Sequence, residues 1–84
     1  MNEKKIMGIY LDDRVNEARD VQNILTRYGC IIKTRIGLHD AGDKTCGSNG
    51  VIILELLGEP EERRALENDL QGVEGVKIGK MTFS

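Results

Sequence analysis

Between Lys5 and Asp12 the residues alternate, with Met7, Ile9 and Leu11 on one side and Ile6, Gly8 and Tyr10 on the other, which predicts a first β-strand. After a candidate N-cap at Asp12 or Asp13, the apolar positions Val15, Ala18, Val21, Ile24, Leu25 and Tyr28 recur every three or four residues. That spacing lines one face of a helix, with Gly29 placed as a left-handed C-cap. Cys30 to Leu38 returns to a β-rich composition and predicts a second strand. His39 to Gly50 is punctuated by glycine, aspartate, serine and asparagine and reads as a long hairpin loop. Val51 to Leu57 is almost continuously apolar, as a strand in the middle of a sheet is. Pro60 suits the first turn of a second helix, which carries Ala65, Leu66 and Leu70 inward and closes at Gly72. Val73 to Phe83 sets Val76 and Ile78 against Lys77, Gly79 and Met81, a polar-faced strand suited to a sheet edge.

Strand, helix, strand, strand, helix, strand is the split βαβ order of an α+β ferredoxin-like sandwich, βαββαβ. Right-handed crossovers then put two helices on one face of a four-stranded antiparallel sheet. The opposite face is expected to carry Ile6, Tyr10, Ile31, Val51 and Ile53, with Lys33, Arg35 and Glu55 near its rim. A face that apolar needs a cover, so a homo-oligomer is expected, formed through the sheet by Ile6, Tyr10, Ile31, Arg35, Val51, Ile53 and Glu55.

Composition narrows the class. Eighty-four residues fit one domain, 1–84, with one core. A chain 39% hydrophobic and 31% charged is neither disordered nor membrane-like. Only Tyr10, Tyr28 and Phe83 are aromatic, so the core rests on Ile, Leu and Val, and self-association would supplement it. The net charge of −2 disfavours direct nucleic-acid binding. The longest apolar runs are too short for a bilayer, and the first residues carry no signal core, so a cytoplasmic location with Cys30 and Cys46 reduced is expected.

His39, Asp40, Asp43 and Cys46 lie within eight residues of one another in the loop. Imidazole, carboxylate and thiolate are the usual donors to zinc, nickel or iron, so these four form a candidate metal or effector site. The alternative is an ordinary solvated loop with Cys46 packed as a small apolar residue. A Cys46–His39 catalytic pair lacks a third orienting group and an oxyanion site, so the chain is not expected to be an enzyme. The Gly47–Gly50 stretch is followed by a strand where a phosphate loop needs a helix, and strand three lacks the aromatic residues on which RNA-recognition domains stack bases.

The segment Arg35-Ile36-Gly37-Leu38-His39-Asp40, then Cys46, then Gly50 to Leu56 resembles the iron-only hydrogenase system regulators. These are stand-alone, ACT-like domains related to the C-terminal domain of nickel-responsive regulators. The resemblance spans nearly the whole chain and implies a homo-oligomeric regulatory domain of anaerobic metabolism that senses a metal or a small effector. By linkage, a ligand held between subunits would favour one arrangement, which a separate protein partner would read. Only His39 and Cys46 correspond to the ligands of the nickel-responsive proteins, so their nickel site does not carry over intact. The other expectation is a structural protein–protein interaction module without a ligand.

Overall fold

The computed structural model describes residues 3–11, 18–39 and 50–84. Four strands, β1 (Lys4–Leu11), β2 (Ile32–His39), β3 (Gly50–Leu56) and β4 (Val76–Phe83), form one antiparallel sheet in the order β2-β3-β1-β4. Helices α1 (Ala18–Arg27) and α2 (Pro60–Gln71) cover one face. This is the ferredoxin-like arrangement read from the sequence, with the apolar β3 and β1 central and β4 at an edge.

The alternation of β1 and β3 explains the core. Met7 and Ile9 from β1 and Ile52, Leu54 and Leu56 from β3 are buried against Val21 and Leu25 of α1 and Leu66 and Leu70 of α2. Each such side chain removed from water is worth roughly 1.5–3 kcal/mol. Pro60 starts α2, and the Glu62 carboxylate accepts the backbone N–H of Glu59 at 2.8 Å, satisfying a donor that the helix leaves unpaired. The C-terminal parts of the two helices are joined where the Tyr28 hydroxyl donates to the Asp69 carboxylate.

Three details differ from the pattern reading. Gly29 is not a left-handed cap. Among the described residues the left-handed glycines are Gly58, at φ 84°, and Gly75, at φ 91°. At Gly29 the chain tightens into a 3₁₀ turn, Gly29–Ile31, in which Ile31 N–H donates to Tyr28 C=O at 3.0 Å. That turn carries Ile31 into the core, at 6% exposure, where its carbonyl accepts from Leu57 N–H at 2.7 Å. Val73 likewise belongs to the core rather than to a strand, because Val73 to Gly75 form the turn that leads into β4.

The third difference sets the face of β2. Ile32 pairs with Leu56 and Thr34 with Glu55, so Lys33 is an extra residue in a bulge. Beyond a bulge the alternation changes phase. Arg35 therefore pairs with Leu54 on the helix-covered side, and its guanidinium donates to the Gln22 side chain of α1. Ile31 and Arg35, expected on the open face, are both on the other side, and Thr34 and Ile36 take that face instead.

Candidate functional site

The open face of the sheet can be read row by row, because directly paired residues of an antiparallel sheet share a side. Across the middle, Ile36 pairs with Ile53, Ile53 with Gly8, and Gly8 with Gly79. On one flank Val51 pairs with Tyr10 and Tyr10 with Lys77. On the other, Thr34 pairs with Glu55, Glu55 with Ile6 and Ile6 with Met81. Five of the seven expected interface residues, Ile6, Tyr10, Val51, Ile53 and Glu55, thus lie on this face.

Three further apolar residues join them. Ile36 is 50% exposed, Met81 56% and Phe83 55%. The polar run Lys33-Thr34-Arg35, which interrupts the alternation between Ile32 and Ile36, was the available signal for the phase change in β2. Glu55 is the one carboxylate of the three central rows, and it is neutralised locally. Lys4 Nζ is 3.8 Å and Lys33 Nζ 4.0 Å from its Oε2, while the Thr34 hydroxyl lies 3.5 Å from Oε1. Exposed pairs of this kind contribute at most about 1 kcal/mol each, so their effect is to leave the patch without net negative charge.

On the helix-covered side an open cleft of about 290 Å³ lies between α2 and the adjoining ends of β1 and β4. Met7 and Leu56 give it apolar surface, and Lys5, Arg63, Arg64 and Lys80 surround it. Arg63 donates to the Gly58 carbonyl and lies 3.5 Å from that of Leu57, bonds that fix the guanidinium without neutralising it. Lys80 is 2.9 Å from Glu67, and Lys5 is 3.4 Å from Glu3 and 3.3 Å from the Thr82 hydroxyl. The cleft therefore combines an apolar base with cations in excess of carboxylates. Those cations are scattered along the chain and meet only because β1 pairs with β4 beneath α2.

His39 ends β2 and pairs with Gly50, the first residue of β3. Asp40, Asp43 and Cys46, and the side chain of His39, lie outside the described residues. Among the described residues no group of three or more His, Cys, Asp or Glu is arranged to hold a metal. Cys30 is exposed in the 3₁₀ turn, and no described helix is long and apolar enough to cross a membrane.

No protein-family model matches the chain, and no curated protein matches it significantly. Solved structures do. An uncharacterized protein of Thermotoga maritima, TM1266, superposes with a TM-score of 0.81 at 21% identity, over 99% of this chain and 100% of that one. CPII, a nitrogen regulatory PII-like protein of Thiomonas intermedia K12 bound to ADP, AMP and bicarbonate, gives 0.59 at 16% identity, over 98% and 91%. A dimeric ferredoxin-like protein of unknown function from Thermobifida fusca gives 0.53 at 14% identity, over 98% and 90%. At these identities the likeness is one of fold, and the fold is ferredoxin-like.

Proposed function

We propose that this protein is a homo-oligomeric, non-enzymatic regulatory domain that pairs through its open sheet face and responds to a small anionic effector held in the Lys5–Arg63–Arg64–Lys80 cleft. The observation that carries the proposal is that β1 and β4 serve both surfaces. Lys5, Ile6, Met7, Lys80, Met81 and Thr82 all border the cleft, and Ile6 and Met81 also pair with each other in the row that faces the open side. A ligand that draws these two strand ends toward α2 alters the surface on which a second copy rests. The coupling is reciprocal: if the effector favours the paired state, pairing tightens the effector by the same factor.

Anions of this size suit the fold, since the Thiomonas PII-like protein holds ADP, AMP and bicarbonate on the same scaffold. A transition metal, nickel, iron or zinc, on His39 and Cys46 is the second effector position we propose, supported by the donor types of those residues. A role in an iron-only hydrogenase system rests on the segment Arg35 to Asp40, Cys46 and Gly50 to Leu56, and signalling would pass to a protein partner.

Proton–nitrogen NMR of the whole chain, titrated at low salt with pyrophosphate, AMP and citrate up to about 10 mM, tests the anion site. Shifts should centre on Lys5, Arg63, Arg64 and Lys80, weaken with added salt, and shrink in Arg64→Gln. If all three anions leave those amides unmoved, the effector claim fails and a ligand-free interaction module is the better description.

A further inference from the structure

The central row of the open face is divided into a raised half and a hollow half. Ile36 on β2 and Ile53 on β3 project from it, while Gly8 on β1 and Gly79 on β4, directly opposite each other, present no side chain. Neither glycine is required by the monomer. Both lie outside the left-handed region. A Cβ on Gly79 would meet nothing within 4 Å, and one on Gly8 would meet Ile53 Cδ1 at an ordinary 3.8 Å. Glycine inside a strand weakens it, and its use there marks a close approach by something outside the strand.

From this pattern we infer the arrangement of the pair: two copies pack sheet to sheet about a twofold axis parallel to the strands, passing between β3 and β1. The inference rests on the self-association proposed above and specifies its geometry. Rotation about such an axis places the partner's β2 over β4 and the partner's β3 over β1. Ile36 of one protomer then enters the hollow at Gly79 of the other, Ile53 covers Gly8, and Val51 meets Tyr10. A twofold axis running across the strands instead would set Ile on Ile and Gly on Gly, propping the sheets apart at one half and leaving a void at the other. Voids and overpacking are both destabilising, which selects the first axis.

Size and chemistry agree with this occupant. Four strands about 4.8 Å apart and seven or eight residues long, at about 3.3 Å per residue, present roughly 500 Å² per protomer. A pair therefore removes about 1,000 Å² from water, the lower bound for a specific interface. The row lies at the middle of all four strands, where sheets packed with strands within about 30° of one another remain in register. Glu55, towards one end, keeps Lys4 and Lys33 as its partners and needs none from the other copy.

Within one protomer Ile36 and Gly79 are on opposite edge strands, three strand spacings or about 14 Å apart, so they influence each other only across an interface. The test is a double-mutant cycle on the dimer dissociation constant, measured by sedimentation equilibrium. Gly79→Val adds a β-branched side chain to open space and should leave the circular dichroism of the monomer unchanged. Gly79→Val and Ile36→Ala should each weaken the dimer about tenfold, and the double variant should be no weaker than either, because the bulk has moved from one facing position to the other. A dimer whose two changes combine to about a hundredfold, or that ignores Gly79→Val, overturns this arrangement while leaving self-association intact. A wild-type chain that does not pair overturns both.

Discussion

The hydroxyl of Tyr28, just past the end of α1, donates a 2.7 Å hydrogen bond to the Asp69 carboxylate near the end of α2. Arg27 Nη1 is 3.4 Å from the same oxygen. The bond to the carboxylate, assisted by desolvation, raises the Tyr28 pKa above the ordinary tyrosine value near 10, and Arg27 opposes the shift in part. Because the folded-state value is the higher one, this clasp stabilises the protein fully below pH 10 and is lost as pH rises through the folded-state value. Ultraviolet titration should show that the phenol absent from Tyr28→Phe is the one ionising above the ordinary range. Identical alkaline unfolding curves for that variant and the wild type would contradict the assignment.

Gly58 joins β3 to α2 at φ 84°, and a Cβ there would fall 2.6 Å from Ile31 Cγ2 and 2.8 Å from Glu62 Oε1. Gly58→Ala therefore strains the backbone, displaces a core isoleucine and disturbs the cap of α2. A loss of roughly 2–4 kcal/mol is expected in urea unfolding. Gly79→Ala, in open space with no positive φ, should stay within about 0.5 kcal/mol at concentrations where the chain is monomeric.

The residues made the architecture legible because β1, β3 and both helices obey one period each. Met7, Ile9, Leu54 and Leu66 are buried where alternation or helical spacing puts them. Legibility failed at Lys33. One extra residue in a strand reverses every later side chain, so Arg35 and Ile36 exchanged faces, while the 3₁₀ turn before the strand carried Ile31 inward. The paired glycines of β1 and β4 and the four cations of the cleft were visible as residues but not as groups. Positions 8 and 79, or 5, 63, 64 and 80, are joined only by strand pairing and helix packing.

Metal binding by His39 and Cys46 can be measured independently of pairing. Equilibrium dialysis under reducing conditions against nickel, zinc, iron and cobalt should give about one bound ion per chain or per pair, lost in His39→Ala and Cys46→Ala. Stoichiometric binding that survives both substitutions would place the metal elsewhere, and no binding would remove it.

Among surface substitutions, Ile53→Lys discriminates most sharply between a wet and a covered sheet. Ile53 is half-buried at the centre of the open face, so a lysine there can extend into water in a monomer but is driven into the partner in a pair. It should dissociate the pair at least a hundredfold and leave the fold intact by circular dichroism.

We propose above that the open face of the sheet is an interface between two copies of this chain. Sedimentation equilibrium of the wild-type protein from about 1 μM to about 1 mM tests it most directly, because that range reaches the weak affinities of interfaces at the small end of the size scale. The expected result is a reversible rise from one chain mass to two, abolished by Ile53→Lys. A single chain mass up to the highest concentration would contradict the claim.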